Sequence, residues 1–287
     1  MKLRSALIKL HSALLGRLPL ISDRFFTKTA YFLSFGRFPN LDEPKRFNEH
    51  ICAIKCSEKA LSYAPYADKY EVRDYVTKIL GSEYLNPTLG IYHRPEEIPY
   101  DELPEQFVLK CTHGSGYNIV VKDKAKLDIA KTNRMLRSWL KKNYYNVGRE
   151  RNYKNIRPRI LVDSYIDDAL QEYKIFCFHG IPKLIDVNLF YGKDRTTGLF
   201  TPQWERIPVN FGYAPCGEME QAPAQLPALL AAAAALSEPF DFVRVDLYLR
   251  GEQILFSELT FTSGGGLVHF SPEEYDLSFG TLFEENE

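Results

Sequence analysis

Four polar side chains on two short apolar runs carry the strongest chemical signal in this sequence. Arg244 and Asp246 stand two apart in Phe242-Val243-Arg244-Val245-Asp246-Leu247-Tyr248-Leu249. Glu258 and Thr260 stand two apart in Gln253-Ile254-Leu255-Phe256-Ser257-Glu258-Leu259-Thr260. Residues two apart on a strand point to the same face, and Arg250-Gly251-Glu252 between the runs reads as a hairpin turn. A register that sets Asp246 beside Glu258 gathers an arginine, two carboxylates and a hydroxyl on one patch. Oxygen-only ligation of this kind suits Mg²⁺, with waters and phosphates as its other ligands. Gly264-Gly265-Gly266 just beyond lets backbone N–H groups approach an anion closely. The same pattern also describes a surface hairpin with solvated charges, so other parts of the chain must decide.

A second informative stretch is Gln106 to Lys122. Gln106–Cys111 reads as a strand, Thr112-His113-Gly114-Ser115-Gly116-Tyr117-Asn118 as a flexible loop, and Ile119–Lys122 as the returning strand. The tip of such a hairpin can fold over phosphates with its backbone amides, and Lys110 supplies a point charge. Any hairpin needs glycine, so the loop alone is weak evidence. GxxxxGK[ST] is absent, and Ser115 lacks the strand-to-helix context of a nucleophile elbow. Further on, Arg159–Ile166 reads as a strand ending in Asp167-Asp168, and Gln171–Phe178 as a strand with Glu172 and Lys174 two apart.

The elements that must position these groups follow from pattern. Asp42 and Pro44 suit the start of a helix running toward Ser57. Ala67–Leu80 reads as one helix, with Asp68 in its first turn, Lys69 and Arg73 at i, i+4, and Gly81 as its C-cap. Leu127–Tyr145 reads as a helix with a basic face, Phe190–Pro208 as a charged loop, and Leu226–Leu236 as a helix closed by Pro239.

At 287 residues the chain can bury a sizeable core, and its 45% hydrophobic and 25% charged residues are ordinary for a globular protein. A net charge of -1 argues against bulk electrostatic binding of nucleic acid. Five scattered cysteines, Cys52, Cys56, Cys111, Cys177 and Cys216, read as reduced structural thiols. No run reaches the roughly 18 apolar residues of a membrane span. Residues 1–18 read as a basic amphipathic helix in which Lys2, Arg4, Lys9, His11 and Arg17 alternate with leucines. It either lies on the inner membrane face or packs on the domain through Leu7, Leu10 and Leu14.

In chain order the pieces are Lys69 after an aspartate, Lys110 before a Gly-Ser-Gly flap, a strand with an acidic end, Glu172-x-Lys174, Arg244-x-Asp246, and Glu258-x-Thr260 with glycines. That order resembles the ATP-grasp superfamily, and more closely its TupA-like branch, associated with teichuronopeptide and other cell-surface polysaccharide biosynthesis. The closer resemblance is carried by DEPKRFNEHI, ADKYEVRDYV, LPEQFVLKCTHGSGYNIVVKDKAKLD, EYKIFCFHG, FVRVDLY and FSELTFTSGGG, spread over roughly residues 35–280. It implies an α+β fold, two lobes with ATP in the cleft between them, behind a helical segment over 1–60. The core would start over 61–103, the flap lobe span 104–162, and the lobe with hinge and metal site span 163–287.

The resemblance also implies roles. Lys69 and Lys110 would hold the phosphates, and His113, Gly114, Ser115 and Gly116 would close over them. Asp163, with backbone groups near Ser164 and Ile166, would meet adenine. Glu172 would bind ribose, and Lys174 would reach the phosphates. Asp246, Glu258 and Thr260 would ligate Mg²⁺, with Arg244 and Lys110 assisting transfer. Two residues depart from the superfamily pattern: Asp163-Ser164 stands where glutamate and a basic residue are usual, and Thr260 where the wider superfamily has asparagine.

The activity implied is that of an ATP-dependent carboxylate–amine ligase working through an acyl phosphate, joining an amino acid to a uronic-acid carboxylate in the cytoplasm. A sugar or glycan kinase on the same cleft, a glycosyltransferase and a non-catalytic nucleotide sensor are the alternatives. Asp246→Asn is expected to abolish turnover and leave the fold intact.

Overall fold

The computed structural model describes residues 2–166, 171–191, 194–211, 214–215 and 221–284. Asp167, Asp168 and Cys216 lie outside the described residues. Three helices come first: α1 (Lys2–Leu15), α2 (Asp23–Phe35) and α3 (Phe47–Cys56). Ser22 caps α2 by accepting from the Phe25 N–H, and Gly36 closes it at φ 73. The start of α3 is not Asp42 and Pro44. Glu49 satisfies the free backbone donors there, accepting from the N–H groups of Asn40, Lys45 and Arg46, while Asp42 pairs with Arg24 at 2.6 Å.

The expected helix over 67–80 forms only from Val72: α4 (Ala64–Ala67) ends where it should begin, and α5 (Val72–Leu80) follows a turn. Asp68 turns its carboxylate back to the N–H groups of Tyr70 and Glu71 at 2.8 and 3.3 Å, an aspartate turn that competes with helix. Arg159 pins the turn by donating to both Asp68 and Glu71 at 2.7 Å. Lys69 therefore projects from a turn, not from a helix face.

A four-stranded antiparallel sheet follows, built from β1 (Thr88–Tyr92), β2 (Phe107–Cys111), β3 (Asn118–Val121) and β4 (Ile160–Ser164) in the order β1-β4-β2-β3. Its core is its own, with Phe107, Leu109, Ile160 and Val162 packed under Leu136 of α6 (Ile129–Leu140). Asp128 caps α6. That helix ends at Leu140 instead of reaching Tyr145, and Tyr145–Gly148 forms a separate turn, α7.

The second sheet has the order β11-β10-β5-β6-β7-β8, with β9 parallel to β7. Its strands are β5 (Gln171–Phe178), β6 (Ile181–Tyr191), β7 (Asp194–Phe200), β8 (Arg206–Ile207), β9 (Ala214–Pro215), β10 (Phe242–Arg250) and β11 (Gln253–Thr260). The stretch expected to be a loop over 190–208 is thus largely strand. Residues 194–200 pair with β6 from Tyr191↔Asp194 to Ile185↔Phe200, because Leu199 and Phe200 supply buried partners that outweigh the charges at the hairpin tip.

The sheet's two faces have different jobs. Odd-numbered residues of β5 and β10, among them Ile175, Val243 and Val245, pack on α8 (Leu226–Ser237). Even-numbered ones, such as Phe176 and Phe242, meet Phe47 of α3 and Phe279 of α9 (Glu274–Thr281). That even face also carries Glu172, Lys174, Arg244 and Asp246. Cys52, Cys56, Cys111 and Cys177 are free thiols.

Candidate functional site

The centre of the site is a charged cluster on β5, β10 and β11. Asp246 is 0% exposed. It accepts from Arg244 through Nε at 2.6 Å and through a terminal nitrogen at 2.7 Å, and from Lys174 Nζ at 2.7 Å. Burial alone would raise its carboxyl, but Arg244 and Lys174 overcome this and hold it below the usual aspartate value. Lys174 also pairs with Glu172 at 2.8 Å. Arg244 reaches on to Thr260 at 3.1 Å, Ser263 at 3.0 Å and Glu258 at 3.7 Å. In the register of the hairpin Asp246 faces Glu258 and Arg244 faces Thr260, as the spacing of the two runs implied.

Across from this cluster lies a cleft of about 200 Å³ between the two sheets. Lys69, Lys110, Ser115, Gly116, Asp163, Ile166, Glu172 and Glu258, all singled out from the sequence, line it together. Lys69 donates to the Gly114 carbonyl at 3.0 Å and lies 3.5 Å from Glu258. Lys110 pairs with Asp163 at 2.9 Å, and the Thr88 hydroxyl also donates to Asp163 at 3.2 Å. Gly116 adopts φ 73 at the flap tip. Among the described hydrogen bonds none uses the backbone N–H groups of Ser115 and Gly116, which leaves them free for an anion.

Four residues are placed differently from expectation. Lys174, expected to reach the phosphates, is committed to Asp246 and Glu172 and does not line the cleft. His113 is buried against the Trp139 carbonyl at 3.1 Å, and burial pulls its imidazole below the usual value. It packs beneath the flap and does not line the cleft. Ser164 has its N–H on the Pro87 carbonyl at 3.0 Å and its own carbonyl on the Asn86 amide at 2.7 Å, so neither group is free to read a base. Asp163 is committed to Lys110 and orients that lysine, a use for the shorter acid that the sequence did not suggest.

The acids fit Mg²⁺ in donor chemistry. Two carboxylates and a hydroxyl converge on one positive charge, the Arg244 guanidinium, which stands in for a cation. Both oxygens of Asp246 already accept, three bonds in all, so a metal there would share them with Arg244 and Lys174. Glu258, with its side chain 34% exposed, has room. Among the described residues no three His, Cys, Asp or Glu side chains cluster in metal-binding geometry.

Beyond Arg244 a larger chamber of about 610 Å³ opens, and Ser115 and Glu258 belong to the walls of both cavities. The charges it adds, Lys55, Glu150 and Asp186, escaped the sequence reading. Lys55 left one trace: it falls on the same stripe of α3 as the buried Asn48, Ile51 and Cys52. Glu150, in an irregular stretch, left none. The roof is α1 and α2, through residues such as Ile8, His11 and Phe26.

Helix α1 does pack on the domain, but not by the leucines. His11 is buried, bonded to the Thr29 hydroxyl at 2.7 Å and pulled below its usual pKa by burial. Ser12 donates to the Val147 carbonyl at 2.5 Å. Leu7, Leu10 and Leu14 face outward at 39%, 54% and 60% exposure.

Two antiparallel sheets facing across a cleft, with a glycine hairpin as its flap and lysines and acids on opposing walls, define the ATP-grasp fold. The family model described as TupA-like ATPgrasp matches residues 49–284, and the chain belongs to that family. No curated protein matches. Among solved structures, D-alanine–D-alanine ligase from Helicobacter pylori is similar at 12% identity and TM-score 0.45, over 77% of this chain and 61% of that one. The ATP complex of D-alanine–D-alanine ligase from Bacillus anthracis gives 16% and 0.44, over 70% and 57%. The ATP-grasp ligase PsnB, complexed with a phosphomimetic variant of its minimal precursor, Mg and ADP, gives 9% and 0.45, over 78% and 58%. The chain thus spans less than two thirds of these proteins.

Proposed function

We propose that this protein is an ATP-dependent carboxylate–amine ligase that joins an amino acid to a sugar carboxylate in cell-surface polysaccharide assembly. One observation carries the reading: the wall formed by Ser115 and Glu258 is common to the cleft and the chamber. Phosphates held by Lys69, Lys110 and the flap amides would end at that wall, with Arg244 on the chamber side. Ile166 would border the adenine and Glu172 the ribose. Asp246, Glu258 and Thr260 would hold Mg²⁺, which when bound neutralises phosphate charge. The acceptor carboxylate would attack the terminal phosphorus, and Arg244 would stabilise the oxyanion formed when an amine then attacks the acyl phosphate. The polysaccharide setting rests on the family alone.

The test is to add hydroxylamine to the enzyme with ATP, Mg²⁺ and candidate uronic acids. A hydroxamate, with ADP release that requires the acid, is the expected result. A stable phosphorylated sugar with no hydroxamate would instead make the protein a kinase.

We also place α1 on an anionic lipid surface. Leu7, Leu10, Leu14, Leu18 and Leu20 are exposed together, and the exposed Arg4, Lys9 and Arg17 beside them complement acidic headgroups.

A further inference from the structure

Three charged groups in the chamber have no part in the phosphate chemistry; Asp186 accepts from the Thr197 hydroxyl, and the other two are Glu150 and Lys55. Glu150 follows α7, and its carboxylate accepts from the Thr262 hydroxyl. It is half-buried and lines the chamber. Burial pushes its carboxyl up, with Thr262 and the Lys55 charge pulling the other way. Lys55, in the last turn of α3, is 2% exposed and donates to the Gly265 carbonyl at 2.9 Å. Among the described residues no ion pair joins the two.

Both groups therefore have bonding capacity to spare. An ammonium has three donors and a carboxylate about four acceptor positions, and each uses one described bond. Buried charges left apart are costly unless something completes them. Glu150, Tyr144, Tyr153 and Glu258 line the same chamber, and the Tyr144 ring packs against Gly114 of the flap. Phe176, Leu184 and Leu199, with Phe211 and Phe270 packed against them, give the chamber an apolar wall. A small molecule with an ammonium, a carboxylate and an apolar group matches all three features.

We propose that the chamber is an α-amino acid site in which Glu150 holds the substrate's ammonium, Lys55 its carboxylate, and the phenylalanine-rich wall its side chain. The proposal rests on the ligase reading, because the acyl phosphate made there is the electrophile. Glu150 takes one proton from the ammonium. The freed lone pair forms the C–N bond, the C–O bond to phosphate breaks, and phosphate leaves with that electron pair and accepts the amine's second proton. Glu150 then returns its proton to solvent.

The experiment uses the full chain and two binding measurements by calorimetry. The first is with a non-hydrolysable ATP analogue and Mg²⁺. The second takes the common L- and D-amino acids one at a time. At least one amino acid is expected to bind, and its methyl ester and its 2-hydroxy acid analogue to bind on the order of thirtyfold more weakly or worse. Glu150→Gln, close to isosteric, should lose the preference for the amine over the hydroxy acid, and Lys55→Met the preference for the free acid over the ester. Both variants should bind the ATP analogue within about threefold of the wild type, which also reports that they fold. If the analogue binds but no amino acid does, or if Glu150→Gln binds the amino acid as tightly as the wild type, the proposal is overturned and the ligase reading stands. If the analogue itself fails to bind, the ligase reading falls and takes this one with it.

Discussion

Asp246 faces Glu258 across the β10–β11 hairpin because Ser257 is an extra residue, absorbed in a bulge between the pairs Leu247↔Phe256 and Asp246↔Glu258. Without the bulge Ser257 would oppose Asp246, and Glu258 would fall opposite Val245, toward the core under α8. Removing Ser257 should therefore keep the apolar pairs matched and Asp246 opposite Glu258, at a cost of about 1 kcal/mol. Removing Leu255 instead should turn Phe256 out of the core and Ser257 into it, and cost about 3 kcal/mol or more. Thermal melts of the two deletions check this; equal losses would count against the assigned register.

Burial changes the outcome expected for Asp246→Asn. The carboxylate neutralises Arg244 and Lys174 from a fully enclosed position, so its loss leaves Lys174 with Glu172 and Arg244 with the more distant Glu258 at 3.7 Å. Turnover should be abolished and stability should also drop, by about 3 kcal/mol. Denaturant titration beside an ADP assay separates the two effects. An unchanged midpoint would show that the neighbouring acids take over.

Asp23 anchors the helical segment to the residues after α7. It accepts from Arg149 at 3.2 Å, from Arg151 at 2.7 Å and from the Tyr145 hydroxyl. Burial works to raise its carboxyl, yet Tyr145, Arg151 and Arg149 bring it below the ordinary aspartate value. A depressed carboxyl adds stability above its unfolded pKa and loses it as pH falls through the folded one. Acid below the ordinary aspartate range should therefore loosen α1 and α2. Asp23→Asn should cost about 3 kcal/mol at neutral pH and flatten the acid limb of the stability curve. An acid limb as steep as the wild type's would place the pH sensitivity elsewhere.

Vesicles test the outward leucines of α1. Wild type should bind vesicles containing phosphatidylserine and release them as salt rises. Leu10→Ser combined with Leu14→Ser should abolish binding without lowering the melting temperature, since both side chains already face solvent. A fall in melting temperature would mean that these leucines are covered in solution.

Much of the site was legible because strand alternation is local. Arg244 with Asp246, Glu258 with Thr260, and Lys110 before its flap needed only a period of two. The start of α5 at Val72 instead of Ala67 was not, because the turn at Asp68 is held by Arg159, 91 residues away in sequence. Strand β7 was hidden by the charges at its tip, although Leu199 and Phe200 carried its buried partners. The commitment of Ser164 to Pro87 and Asn86 is likewise a tertiary matter, since its own residue type allows either use.

The two cleft lysines, Lys69 and Lys110, differ in what must happen when the cleft parts. Lys110 and Asp163 belong to strands of one four-stranded plate, so tilting the plate carries their ion pair along whole. The Lys69–Glu258 contact runs from the 68–71 turn to the other sheet, at 21% and 34% side-chain exposure, and is severed by the same movement. Among the described ion pairs this one spans the cleft, and its partial exposure leaves it screened and individually weak. Dissolved ions should therefore speed the exchange of molecules through the cleft while Lys110 keeps its aim.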